Sequence, residues 1–266
     1  MTEQTAPQLR LRVFAGPNGS GKSTVIKEIR ETKLSENVKL DIGVYINADD
    51  IAQLLRAGKF TFRAYEVSCT KQDIISFAEK SGLLCGSFTK ELLSKSIKID
   101  DYSLELTVPT SLDRVAQIIA RFLRHAFIAA KRRFSFETVF SHKSNLDDMR
   151  TAAAAGYKVY LYFVGTESPE INKYRVALRV MEGGHSVPQE RIEQRYYRSM
   201  ELLMEASEIA YQGYYFDNSI DDMPYRLVGH FKLIGGDKEW DRIPDDQVAL
   251  WFRKYYLNKS EKETEK

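Results

Sequence analysis

Near its N-terminus the sequence carries Gly16-Pro17-Asn18-Gly19-Ser20-Gly21-Lys22-Ser23-Thr24, which fits the spacing G-x-x-x-x-G-K-[ST]. Residues of these types at this spacing suit one task, the cradling of phosphate. A glycine-rich loop can curl until successive backbone N–H groups converge on an anion. A helix opening at about Lys22 adds the positive end of its dipole. Lys22 is placed to reach the β- and γ-phosphates of a nucleoside triphosphate, and the Ser23 hydroxyl to ligate Mg²⁺. ATP and Mg²⁺ are therefore the expected cofactors, with residues 16–24 as the binding segment.

Two acidic positions follow. Asn47-Ala48-Asp49-Asp50 comes directly after the apolar run Val44-Tyr45-Ile46. Asp49 there can accept a proton from an attacking hydroxyl or hold Mg²⁺ through water. Asp49 or Asp50 could equally cap the next helix. Glu137 lies inside Phe134-Ser135-Phe136-Glu137-Thr138. A glutamate in an aromatic strand is costly to bury unless paired, by a substrate hydroxyl, an arginine or a structural ion pair.

The arginines come in two groups. Arg175 and Arg179 are four apart on one expected helix; Arg191, Arg195 and Arg198 repeat at four and three on the next. Gly183-Gly184-His185-Ser186-Val187-Pro188 joins them. Two arginine-bearing helices sharing a glycine hinge suggest a lid over about 168–200, since phosphoryl transfer needs positive charge around the migrating group. The plainer alternative is a solvated face paired with Glu182, Glu190 and Glu193. Asp217-Asn218-Ser219 could contact adenine or ribose.

The elements that must position these residues alternate in type. Strands are expected at 9–15, 44–47, 134–138, 158–164 and 214–217. Helices are expected at 22–31, from Ile51, from Thr110 or Ser111 to about 131, at 145–155 with Gly156 closing it, from Ser168 to Gly183-Gly184, and from Pro188 to about Ala210. Alternation of this kind implies an α/β fold with a parallel sheet flanked by helices. Ligands then gather at the carboxyl ends of the strands. The stretch 56–108 is harder to place and reads as several short helices, either an insertion capping the substrate or ordinary packing. An extra strand at 225–233 and a terminal helix at 244–257 complete one domain, 1–257, with a charged, disordered tail at 258–266.

Composition narrows the class. The 266 residues carry a formal net charge of +2, without the basic excess of a dedicated nucleic-acid binder. Cys69 and Cys85 form no metal-type spacing and no disulfide framework, so free thiols in a reducing compartment are expected. The first eight residues are polar and do not read as a signal peptide. No apolar run approaches the ~20 residues of a membrane span. A cytoplasmic protein with no membrane partner is the expectation.

The ordered set of motifs resembles the zeta-toxin-like P-loop kinases. The resemblance is carried by Gly16–Thr24, by Ile46-Asn47-Ala48-Asp49-Asp50-Ile51, by Phe136-Glu137-Thr138, and by Gly183–Pro188 with Arg195-Tyr196-Tyr197-Arg198-Ser199. It covers about 10–220, less 56–108. It implies a nucleoside-kinase-like sheet of order 2-3-1-4-5. It further implies phosphorylation of a small-molecule hydroxyl, in toxin members that of UDP-N-acetylglucosamine, and an antitoxin protein as partner. By position, Asp49 is similar to the general base, Glu137 to the substrate-holding acid and Arg179 to the first of two lid arginines. His185 stands where the second belongs, with Arg195 or Arg198 able to replace it in space. Asn47 and Thr138, beside the two acids, are expected at the substrate. Two rival readings are a polynucleotide 5′-hydroxyl kinase, using the basic stretch 121–133, and a nucleotide-dependent binding ATPase with no acceptor.

Overall fold

A computed structural model describes residues 8–36, 38–183 and 186–260. In chain order the strands are β1 (Arg10–Ala15), β2 (Lys33–Ser35), β3 (Val38–Lys39), β4 (Val44–Ile46), β5 (Ile97–Asp100), β6 (Ser103–Leu106), β7 (Phe134–Thr138), β8 (Lys158–Gly165), β9 (Gln212–Asp217), β10 (Arg226–Ile234) and β11 (Asp237–Trp240). The helices are α1 (Lys22–Glu31), α2 (Ala48–Arg56), α3 (Lys71–Lys80), α4 (Lys90–Ser96), α5 (Leu112–Ala129), α6 (Ser144–Ala154), α7 (Pro169–Met181), α8 (Gln189–Glu201), α9 (Leu203–Ile209) and α10 (Leu250–Phe252).

The main sheet has seven strands in the order β11-β10-β9-β8-β1-β7-β4. Its five expected strands stand as β4-β7-β1-β8-β9, which is the order 2-3-1-4-5. Pairs β1·β8, β8·β9 and β4·β7 are parallel, while β10 and β11 add an antiparallel edge. The protein is thus α/β, with a mostly parallel central sheet flanked by helices. β11 was not expected from the sequence, because its residues Asp237-Lys238-Glu239-Trp240 carry no apolar alternation.

By internal contacts the chain forms two compact units, Met1–Gly43 with Glu137–Lys266, and Val44–Phe136. In the first, β1 and β8 are buried along nearly their whole length, as central parallel strands require. α1 packs on both, and α6 and α9 also pack against β8. The edge is closed by an aromatic cluster in which Tyr215, Phe231, Trp240, Phe252 and Tyr256 meet ring to ring. Trp251 lies so close to Gly165 that a Cβ there would sit 2.6 Å from the indole.

In the second unit α5 presents Val115, Ile119, Leu123 and Phe127, all with no exposed surface, and packs against α2 and α3. The stretch 56–108 contains α3 and α4, as short helices were expected there, and also the β5–β6 hairpin, which was not. The Ser111 hydroxyl does not cap α5; it accepts instead from buried Ser96, at 2.8 Å.

Other boundaries differ from the sequence reading. α2 begins at Ala48, three residues earlier than expected. The expected helix from Pro188 to Ala210 breaks at Leu202 into α8 and α9. The terminal helix, expected at 244–257, begins at Leu250, passes through a π-helical turn at Arg253–Leu257 and continues over 258–260, where a disordered tail was expected. The rest of that tail lies outside the described residues. Among the described residues no helix is long and apolar enough to cross a membrane. Cys69 and Cys85 are both free thiols.

Candidate functional site

The phosphate loop leaves buried β1 and is held from three sides. Gly16 has φ +141°, and a Cβ there would fall 2.2 Å from the Val164 carbonyl oxygen. Gly19 has φ +75°, and its Cβ would fall 2.7 Å from the backbone oxygen of Asn172 on α7. Neither position accepts a side chain, so these two glycines are set by backbone packing as well as by conformation. The loop turns on a Ser20 N–H to Pro17 O bond of 3.3 Å. Two asparagine amides reach it from outside. Asn172, fully buried, donates to the Asn18 carbonyl, and Asn218 donates to the Ser20 carbonyl at 2.9 Å. Arg195 on α8 donates to the Asn18 side chain at 3.3 Å.

Lys22 opens α1 and is buried to 7% exposure. Its ammonium donates to Pro17 O at 3.0 Å and lies 3.9 Å from the Glu137 carboxylate. Glu137, near the end of β7, is therefore opposite the loop lysine rather than an isolated strand acid. A part-buried pair of this kind offsets the desolvation of both groups. Ser23 and Thr24 are exposed in the first turn of α1. The Ser23 hydroxyl makes no hydrogen bond among the described residues. That fits a Mg²⁺ held mainly by phosphate and water with a single protein oxygen. Among the described residues no cluster of three or more His, Cys, Asp or Glu could hold a metal by itself.

In the second unit, β4 pairs with β7 in register Ile46–Phe136, so both strands end at the same edge. Asn47 caps α2, its side chain accepting from the Asp49 N–H at 2.8 Å. The alternative in which Asp49 or Asp50 caps this helix is ruled out by this bond. Asp49 is left exposed in the first turn, its carboxylate accepting no hydrogen bond among the described residues. Replacing Asn47 by alanine should cost about 1 kcal/mol of stability. Thermal unfolding of the variant measures it, and an unchanged melting temperature would contradict the cap.

Several site expectations change. Arg175 does not face α8; it is tied to Asp221 at 2.7 Å and to the Asn218 carbonyl at 2.7 Å. One bond between α7 and α8 runs from Lys173 to Glu193, at 2.5 Å. Arg179 is exposed on α7. Arg198 is exposed, and its side chain makes no hydrogen bond or ion pair among the described residues. His185 lies outside the described residues. The Thr138 hydroxyl is engaged locally, donating to Asn145 and accepting from the Phe140 N–H, both at 3.1 Å. Asp217 is not open to a nucleotide: it is buried and accepts from Trp251 Nε1 at 3.0 Å and from Arg226 at 2.9 Å. Beside it, Glu167 accepts the N–H groups of Leu250 and Trp251, and burial raises its carboxyl above the usual range.

Three arginines of the basic stretch 121–133 are engaged inside its own unit, while Lys131 is exposed. Arg121 donates to Ser81 O, Arg132 to Tyr65 O and Glu66, and Arg124 is buried over the Phe136 ring at 3.8 Å. These arginines do not form an open stripe for a polynucleotide.

Sequence reasoning missed Asn172, and it named Tyr196 only as part of the 195–199 motif, with no role of its own. Tyr196, 1% exposed, donates to the Thr166 carbonyl at 2.7 Å and fastens α8 to the end of β8. Nothing in local spacing separates these from ordinary helical residues.

No family model matches the chain. Among solved structures, the AvrRxo1-ORF1:-ORF2 complex with ATP superposes with a TM-score of 0.47 at 12% identity, over 87% of this chain and 60% of that one. A structure from the PezAT toxin–antitoxin system of Streptococcus pneumoniae gives 0.45 at 12% identity, over 81% of this chain and 70% of that one. The chain thus spans only three fifths of the AvrRxo1 chain's length. An uncharacterised protein of Haemophilus influenzae is 30% identical over 112 residues, which are 41% of this chain and 80% of that protein. With four fifths of that relative covered at this identity, the chain belongs to the same family as the uncharacterised Haemophilus influenzae protein.

Proposed function

We propose that the protein is an ATP-dependent phosphotransferase acting on a hydroxyl of a small molecule, as the resemblance to zeta-toxin-like kinases implies. The observation that carries this reading is the loop itself. Gly16 and Gly19 are packed too closely for any side chain, and Lys22 is buried between the loop carbonyl of Pro17 and Glu137. Lys22 in this reading holds the β- and γ-phosphates, and Ser23 contributes one oxygen to Mg²⁺. Bound Mg²⁺ would supply charge neutralisation between those phosphates. Asp49 is the base on the acceptor hydroxyl, and Glu137 holds the acceptor once the triphosphate has drawn Lys22 away.

UDP-N-acetylglucosamine is the first acceptor to test, and an antitoxin protein belongs to the same reading. The deciding experiment incubates the protein with γ-labelled ATP, Mg²⁺ and separate acceptors: UDP-N-acetylglucosamine, simple nucleosides and a 5′-hydroxyl oligonucleotide. Label on a small-molecule acceptor supports the proposal. Label on the oligonucleotide alone, or ATP hydrolysis with no acceptor labelled, removes it.

Arg179 makes a separate prediction. If it supports charge on the migrating phosphoryl group, Arg179→Ala should lower kcat by about 10²–10³ with little change in ATP affinity. Loss of ATP affinity with normal turnover at saturation would place Arg179 in ground-state binding instead.

A further inference from the structure

The structure fastens two alternate carbonyls of the phosphate loop from outside. Asn172 Nδ2, on α7, donates to the Asn18 carbonyl, and Asn172 Oδ1 accepts from the Thr166 hydroxyl, so both ends of this fully buried amide are used. Asn218 Nδ2, just after β9, donates to the Ser20 carbonyl at 2.9 Å. Asn218 is itself set in place, because its N–H donates to Gly165 O at 3.0 Å and its carbonyl accepts from Arg175 at 2.7 Å.

A trans peptide points its C=O and the following N–H in opposite directions. Anchoring the carbonyl of Asn18 therefore aims the Gly19 N–H the other way, and anchoring that of Ser20 does the same for Gly21. Between them, the Ser20 N–H turns inward to Pro17 O. The Gly19 and Gly21 N–H groups have no acceptor among the described residues. Two unclaimed donors flanking a satisfied one, on residues with φ of +75° and +89°, make a concavity suited to oxyanions.

We propose that Asn172 and Asn218 are positioning residues that preset these two N–H groups for a polyphosphate. Neither touches the ligand; each acts through the peptide it holds. The proposal rests on the reading of the loop as a triphosphate site and extends it to residues outside the motif. Without the asparagines, each peptide must be turned during binding, at the expense of affinity. One net hydrogen bond's worth of preorganisation corresponds to about a fivefold loss of affinity per variant.

The test uses the full chain, with inorganic tripolyphosphate and ATP as probes. Binding is measured by calorimetry for wild type, Asn172→Ala and Asn218→Ala, and the Gly19 and Gly21 amide resonances are followed during titration. The expected result is weaker binding in both variants with a crossed signature. Asn172→Ala should blunt mainly the ligand-induced shift of Gly19, and Asn218→Ala mainly that of Gly21. A merely structural role would lower the melting temperature without that residue-specific pattern. Unchanged affinity and unchanged amide shifts in variants that fold would overturn the proposal. Should Asn172→Ala fail to fold, Asn218→Ala decides alone through the Gly21 shift. Failure of the wild type to bind either probe is a different outcome, which sinks the triphosphate reading itself.

Discussion

Lys22→Ala should lower phosphoryl transfer by about 10³-fold, the scale expected when a charge-stabilising donor is removed from a site of this kind. The structure adds a second consequence. Lys22 is 7% exposed and faces Glu137, itself 17% exposed, at 3.9 Å. Truncating the lysine leaves a part-buried carboxylate without this partner, so the variant should also be less stable. The two effects are separable. A Lys22→Ala, Glu137→Gln double variant also removes the carboxylate charge that faced the lysine and should regain part of the lost melting temperature. It should regain none of the transfer. The measurements are labelled transfer at saturating ATP and thermal unfolding of all three variants. Near-normal turnover in Lys22→Ala would mean that the loop is not the reaction centre. Recovery of activity in the double variant would mean that the lysine acts only through its ion pair.

Asp49→Asn should lower transfer by about 10²–10⁴, the usual contribution of a general base, with folding and ATP affinity unchanged. A sugar hydroxyl is a weak nucleophile until its proton is taken or aligned. The capping role that could have confused this test belongs to Asn47, whose side chain accepts from the Asp49 N–H. Asparagine at 49 leaves that backbone donor in place. Any loss of transfer then reports on the carboxylate. Equal transfer by variant and wild type, measured with the acceptor found in the labelling screen, would take Asp49 out of the mechanism and pass the role to Asp50 or Glu137.

The sequence by itself determined the phosphate loop, because that motif is local: glycine conformations, lysine and hydroxyl lie within nine consecutive residues, Gly16 to Thr24. It also determined the five parallel strands and their bounding helices, since strand periodicity and turn residues are read over short windows. β7 starts and ends at the expected residues, and α7 starts at Pro169, one residue after the expected Ser168. The β5–β6 hairpin and β11 escaped because charged, exposed strands lack the apolar alternation that marks a half-buried one.

What only the tertiary structure decided is which polar residues are already engaged. Arg175 looked like a partner of Arg179 by helical spacing, yet it is bound to Asp221 and Asn218, 46 and 43 residues away in sequence. Asp217 looked open at a strand end, yet Trp251 and Arg226 occupy it. Asn172 looked like any helical asparagine, yet it holds a carbonyl 154 residues earlier. Hydrogen bonds of this span leave no periodic trace in the chain. They are fixed only when buried polar groups, each costly to leave unpaired, find partners across the folded core.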